Sequence, residues 1–489
     1  MRRSLAFGVL GAAFAAAVLG ASGCHRLRGS SGGGEARPEG PRRTAPADVV
    51  LPPGFRIEVV AERLTFPTGV AFDDAGRPHV VEAGYSYGEA FATPRLLRVE
   101  AGGRLDVVAT GGQNGPWNGV AFAQGSFFVA EGGELQGGRI LRVAPDGRFE
   151  PVASGLPSLG DHHTNGPAIG PDGWIYFGQG TATNSGVVGP DNADYGWLRR
   201  HREFHDTPCA DATLAGANYV AKDPTTGTEV TTGAFLPFGT PGEAGRVVKG
   251  AVPCSGAILR VRPEGGAVEL VAWGLRNPFG LAFDPRGRLF ATENGYDVRG
   301  SRPVWGAPDV LWEIRPGAWY GWPDHAGGEP VATERFQPPG GEVPKKLLAR
   351  DPGRPPPPSA LLGVNSSSNG LDFSRSERFG FEGEAFVAQF GDLTPATGKV
   401  VAPVGFKIVR VDPATGVIRD FAANRGETNG PASRLGHGGL ERPVAVRFDP
   451  SGDALYVVDF GVMTVGEKGP EPRAETGVLW RIVREGGGS

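Results

Sequence analysis

Residues Trp273 to Gly295 read WGLRNPFGLAFDPRGRLFATENG. Two short apolar runs, Pro278 to Phe283 and Leu289 to Thr292, flank the turn Asp284-Pro285-Arg286-Gly287. Apolar runs of this length bounded by Pro, Gly and Asp predict a strand–turn–strand unit. Arg276-Asn277 stand at its entrance and Glu293-Asn294-Gly295 at its exit.

The unit recurs. Degenerate copies begin at Pro67-Thr68-Gly69-Val70-Ala71-Phe72, Asn118-Gly119-Val120-Ala121-Phe122 and Asn165-Gly166-Pro167-Ala168-Ile169. Later copies begin at Asn369-Gly370-Leu371-Asp372-Phe373 and Arg442-Pro443-Val444-Ala445-Val446-Arg447-Phe448. Further strands alternate apolar and basic residues: Arg139 to Val143, Ala257 to Val261, Phe406 to Val411 and Val478 to Ile482. Alternation with period two marks half-buried strands. Six such units without long helices predict an all-β fold, a six-bladed β-propeller of four-stranded antiparallel blades. Gly180 to Val252 and Gly327 to Pro358 are poor in strand signals and read as loop insertions on one face, forming the mouth of a pocket.

The 489 residues include 80 glycines and 44 prolines, which mostly punctuate apolar runs as turns do. A net charge of −4 without a basic block argues against a nucleic-acid partner. Residues 1–24 form a lipoprotein-type signal peptide: Arg2-Arg3, an apolar run Leu5 to Leu19, then Ala21-Ser22-Gly23-Cys24. Ordinary secretory cleavage with an incidental Cys24 is the alternative. The lipid reading predicts an exported cell-envelope protein anchored to a membrane through Cys24. Residues 25–48, rich in Gly, Arg and Pro, read as a flexible tether, and 49–485 as the propeller. Cys209 and Cys254 remain, an even number that predicts one disulfide in an exported protein.

Four constellations carry chemistry. Asp161-His162-His163-Thr164-Asn165 leads into the third inner strand, where His162 or His163 could act as a general base or simply hydrogen-bond the loop backbone. Arg276 has the planar fork that binds carboxylates, on a ligand or on a neighbouring blade, and Asn277 could orient a polar group. Glu293, Asn294, Gly295, Tyr296 and Asp297, with Asp309, supply the oxygen-rich, glycine-containing surroundings that Ca²⁺ takes; a solvated acidic loop is the alternative. Trp312, Trp319, Tyr320 and Trp322 could stack on a planar ligand or pack between blades. The chain lacks Cys-x-x-Cys-His and any Gly-x-Gly-x-x-Gly opening a helix, which disfavours attached haem and nicotinamide.

Together these residues resemble the glucose/sorbosone dehydrogenase family, most specifically at Gly274 to Asp284, Glu293-Asn294-Gly295 and Arg315 to Pro323. The resemblance implies a six-bladed quinoprotein using pyrroloquinoline quinone (PQQ) and Ca²⁺ to oxidise a sugar or related alcohol, with an external electron acceptor. It implies His162, eight residues before Gly170-Pro171-Asp172-Gly173, as the base, with His163 adjacent. Arg276, Asn277 and Trp319 would contact the cofactor, and Arg276 also the substrate. Ca²⁺ would sit on the carbonyls of Gly295 and Tyr296, near Asp309 and Glu293. Tyr296 stands where the family has proline. The fifth unit has Gln389-Phe390-Gly391-Asp392, with Lys399 in the loop that follows, where the family has basic residues. Two other functions suit the same fold: a non-catalytic envelope propeller binding glycan or protein, and a Ca²⁺-dependent lactonase-like hydrolase.

Overall fold

The computed structural model describes residues 40–84, 91–394, 397, 402–466 and 469–486. Cys24, the signal segment and Lys399 lie outside the described residues. The dominant architecture is six antiparallel sheets arranged as the blades of a propeller. The innermost strands are Pro67–Phe72, Trp117–Ala123, Thr164–Ile169, Pro278–Phe283, Ser368–Phe373 and Pro443–Phe448. Each coincides with one copy of the sequence repeat. The alternating strands, such as Gly138–Val143 and Ala257–Val261, are the third of their blades.

Local chemistry explains the repeat. The turn aspartate receives backbone N–H groups: Asp284 Oδ1 accepts from Arg286 and Arg288 at 3.0 and 2.8 Å. Gly287 closes that turn at φ 77°, a conformation in which a Cβ is costly. At the far end, the last residue of each second strand is Glu82, Glu131, Gln179, Glu293, Gln389 or Asp459. Three of these acids receive backbone N–H groups from the entrance of their own inner strand: Thr65 to Glu82, Arg276 to Glu293, and Glu441 and Arg442 to Asp459.

The glycines of four repeats, Gly69, Gly119, Gly280 and Gly370, stand where inner strands crowd the axis, whereas Gly166 has room for a Cβ but takes φ 97°. A Cβ on Gly69 would lie 2.9 Å from Gly119 Cα, and one on Gly119 1.9 Å from Gly166 O. On the other side, a Cβ on Gly280 would lie 2.3 Å from Asn369 O, and one on Gly370 2.6 Å from Ala445 Cα.

The ring closes with chain from the N-terminal side. Phe55–Leu64 forms the outer strand of the sixth blade against Gly477–Arg484, and Val49–Val50 adds a fifth strand to the fifth blade. Contacts start ahead of Val49: Arg42 Nη2 donates to Asp459 Oδ2 at 2.5 Å and to Gly439 O at 2.9 Å.

Both insertions reach one face. Gly180 to Val252 joins the second and third strands of the third blade, at the end where inner strands begin. The segment after Pro308–Glu313 starts at the opposite end but climbs the flank of the third blade. Tyr320 N donates to Trp273 O at 2.8 Å and Trp322 N to Gly274 O at 2.7 Å. There Leu347 and Leu348 pack with Leu214 and Phe235 of the first insertion. Cys209 and Cys254 are disulfide-bonded and tie that insertion to the third blade.

The crowding yields a test. Gly280→Val should cost about 3 kcal/mol or more in chemical denaturation, because backbone rather than a movable side chain blocks the new Cβ. A midpoint equal to the parent's would show that the inner strands can spread.

Candidate active site

A cavity opens where the six inner strands begin. The residues directly before the axial glycines and Ala445, namely Thr68, Asn118, Asn165, Phe279, Asn369 and Val444, all line it. A relay of amides crosses it. Asn118 donates to Asn165, Asn165 to Asn277 at 2.9 Å, Asn277 to Asn294 at 2.9 Å, and Asn294 to Asn369. Phe279, Phe390 and Phe460 add apolar faces.

His162 and His163 both line the cavity and both are buried. His162 Nδ1 lies 2.8 Å from Thr181 O and 3.1 Å from Thr181 Oγ1. The Thr181 hydroxyl donates its proton to Thr183 O at 2.7 Å, so both Thr181 oxygens are acceptors toward the ring. Nδ1 must therefore carry the proton, and Nε2 of the neutral ring keeps its lone pair. Burial, then the charges of Arg276 and Arg299, hold the His162 imidazole well below its ordinary range. Burial also pushes His163 down to about 4. Gly180 makes room for His162: a Cβ there would lie 2.3 Å from His162 Cβ and 3.1 Å from Asn277 Oδ1.

Arg276 reaches the cavity already engaged. Nη2 donates to Asp297 Oδ2 at 2.7 Å and Asn184 Oδ1 at 2.9 Å, and Nε to Asn184 O at 3.0 Å. Asn184 belongs to the first insertion. Arg299, which the sequence reading passed over, donates from Nε to the same Asp297 oxygen at 3.0 Å. Its Nη1 donates to Asp161 at 2.7 Å and Asp191 at 2.5 Å. Burial raises Asp161 to about 6, against the opposing pull of Arg299.

The expected metal residues divide. Gly295 and Asp309 line the cavity. Asp309 accepts from Gly295 N at 2.9 Å, Ser366 Oγ at 2.8 Å and Ser368 N at 2.8 Å, and burial raises it to about 6. Glu293 is not among the lining residues. Its oxygens take Arg276 N and Trp312 Nε1, the role its counterparts play in other blades, and burial raises it to about 7. The Tyr296 side chain turns away into the core of the insertions, where its hydroxyl donates to His325 O at 2.9 Å. Trp319 likewise stands off the axis, packed between Trp273 and His325, with Nε1 donating to Trp322 O. The climb along the third blade's outer strand places it there. Lys407, the basic residue that opens the fifth blade's third strand, is ion-paired with Asp420 at 2.7 Å.

Two groups implied by the resemblance can be tested against these residues. The carbonyl oxygens of Gly295 and Tyr296 accept no hydrogen bond among the described residues. Beside Asp309 they suit Ca²⁺, which accepts backbone carbonyls, although no side-chain cluster of three ligating residues occurs among the described residues. A planar polycarboxylate would find Arg276 and Arg299 as cations and the three phenyl rings as faces. No lysine among the described residues lines the cavity; Thr397, two positions before Lys399, does.

Residues 248–390 match the family described as glucose/sorbosone dehydrogenase. That span contains the stretches Gly274 to Asp284 and Arg315 to Pro323 on which the resemblance rests. No curated protein matches the chain in sequence. Similar solved structures include a PQQ-bound aldose sugar dehydrogenase from Streptomyces coelicolor, 19% identical with TM-score 0.50 over 89% of this chain and 99% of that one. The PQQ domain of a Coprinopsis cinerea pyranose dehydrogenase is 16% identical, with TM-score 0.53 over 91% and 98%. A soluble aldose sugar dehydrogenase from Escherichia coli in the apo form is 14% identical, with TM-score 0.51 over 88% and 100%. Likeness at these identities establishes the shared fold.

The hydrogen bonding of His162 predicts its protonation. Nitrogen-15 histidine spectra at about pH 6, below the ordinary imidazole midpoint of about 6.5, should show a neutral ring with the proton on Nδ1. A doubly protonated ring there would contradict the assignment.

Proposed function

We propose that this chain, which resembles the glucose/sorbosone dehydrogenases, is a quinoprotein-type sugar dehydrogenase with its site in the axial cavity. The observation that carries the reading is His162: a neutral, buried imidazole with Nδ1–H fixed by Thr181 and Nε2 left as a base beside Arg276 and the amide relay.

Oxidising a CH–OH group to C=O removes a hydroxyl proton and a hydride. In this reading His162 Nε2 takes the proton. An imidazole held below its usual pKa is a weak base, but it is unprotonated throughout the neutral range. The hydroxyl also grows more acidic as hydride leaves its carbon, so a weak base suffices. Asn118, Asn165 and Asn277 would orient hydroxyl groups, and Phe279, Phe390 and Phe460 would cover the apolar faces of bound molecules. Gly295 and Tyr296 carbonyls with Asp309 would hold Ca²⁺; Arg276, Arg299 and Lys399 would meet the cofactor's carboxylates. When bound, PQQ supplies the two-electron oxidant and Ca²⁺ the Lewis acid that polarises it. Electrons would then pass to a separate acceptor.

The alternatives have less support. A lactonase-like hydrolase needs several acids converging on one metal, whereas among the described residues no cluster of three such side chains occurs and Asp309 alone stands beside the Gly295 carbonyl position. A binding-only propeller accounts for the bond from His162 Nδ1 to the Thr181 backbone but gives no role to the second ring nitrogen of a histidine that lines the cavity.

The test is dye reduction by aldoses after adding PQQ and Ca²⁺. Turnover is expected in the parent, and a loss of about 10²-fold or more in His162→Ala with the fold intact. A parent that binds no PQQ, or an unchanged rate in the variant, would overturn the reading. We further propose export and lipid anchoring at Cys24. Cys24→Ser should move the protein from the membrane fraction to the soluble fraction; retention on the membrane would refute anchoring.

A further inference from the structure

We infer that Asp297 is a resident carboxylate occupying the guanidinium sites of Arg276 and Arg299, so that a carboxylate-bearing ligand enters the cavity by exchanging with it. The loop between the second and third strands of the fourth blade, Asn294 to Ala307, supplies both Asp297 and Arg299. One oxygen of Asp297 accepts from both arginines, at 2.7 and 3.0 Å. No donor to its other oxygen occurs among the described residues.

Asp297 is the exchangeable member of the cluster. Asp161 also receives Asn192 Nδ2 at 2.8 Å, and Asp309 is pinned by two backbone N–H groups and a hydroxyl. Among the described residues, side-chain donors to Asp297 come only from the two guanidiniums, and its side chain keeps 14% exposure against 3% for Arg276. Among the described residues Arg276 Nη1 makes only a 3.4 Å contact to Asn294 O, so it keeps donor capacity where the side chain lines the cavity.

The physical consequence is competition. A guanidinium fork is worth most to a carboxylate when both are desolvated, and here Asp297 already takes Nη2 of Arg276 and Nε of Arg299. An incoming carboxylate must displace Asp297 into solvent or share the two arginines with it, while a neutral sugar faces neither cost. The carboxylate could come from the quinone cofactor or from an acidic sugar such as a uronic acid. The cofactor source rests on the proposed function; the acidic-sugar source does not.

The experiment is calorimetric titration of the folded chain with PQQ plus Ca²⁺, with glucuronate and with glucose. It compares the parent with Asp297→Asn, Asp297→Glu and, should the amide variant not fold, Asp297→Ala. Removing the charge should tighten carboxylate binding about tenfold or more, because the arginines lose their internal partner. Asp297→Glu and the affinity for glucose should stay near the parent. A gain for PQQ alone identifies the cofactor as the source, and a gain for glucuronate alone identifies the acidic sugar; either supports the exchange. Equal or weaker binding of both carboxylates to the neutral variant, a comparable gain in Asp297→Glu, or no carboxylate binding to any of these proteins would overturn it. Dye reduction by the parent is scored separately, so the exchange can fail while the proposed function stands.

Discussion

Close approach of the inner strands at the propeller axis governs this structure. Strands can converge there only where Cβ atoms are missing or minimal, which is why Gly69, Gly119, Gly280 and Gly370 recur, with Ala445 in the sixth strand; Gly166 has room for a Cβ and is set apart instead by its φ of 97°. The same crowding makes the cavity. With backbone narrowing the axis, the residue before each glycine, or before Ala445, lines the space above: three asparagines, a threonine, a phenylalanine and a valine. Fold and site are thus one steric solution. The Thr-Gly and Asn-Gly pairs are structural at their second position and ligand-facing at their first.

Above that floor, burial decides the electrostatics. Desolvation is the leading influence on His162, His163, Asp161 and Asp309, moving the imidazoles toward neutrality and the carboxyls toward protonation. Ion pairing opposes it at Asp161, where Arg299 favours the charged form. The first insertion supplies much of this network, whereas no residue of the second, Gly327 to Pro358, lines the cavity. Asn184 fixes the Arg276 fork, Asp191 holds Arg299, and Tyr195 lies under that guanidinium at 5.3 Å. The propeller provides the base and the amide relay; the longer loops set the charge around them.

The fold was legible in the sequence because its constraint repeats. Five of the six inner strands carry the same glycine-centred pattern, the sixth has Ala445 in its place, and four third strands show alternation. The closing strand Phe55–Leu64 was not legible, since it belongs to a blade whose other strands lie some 400 residues later. In the site, the positions of His162, Arg276, Asn277, Gly295 and Asp309 follow from strand entrances and exits. Glu293 misleads because its exit position is one that every blade fills with a buried acid or amide, here bonded within the blade and not lining the cavity. Trp319 misleads because an aromatic run has no period that reveals which blade flank it climbs. Arg299 and Asp191 lie in irregular loops, where only the folded chain shows that they meet. The Asn-Gly pairs were the available clue to the amide relay.

The central claim is that a neutral His162 serves as the base for sugar oxidation in this cavity. Single-turnover kinetics test it most directly. Protein loaded with PQQ and Ca²⁺ is mixed anaerobically with an aldose, and the loss of quinone absorbance is followed between about pH 5.5 and 8, across the ordinary imidazole midpoint of about 6.5. The account predicts a rate that is flat through this range in the parent. A rate that falls on acidification with a midpoint near 6.5, or no loss of absorbance at any pH, would contradict it.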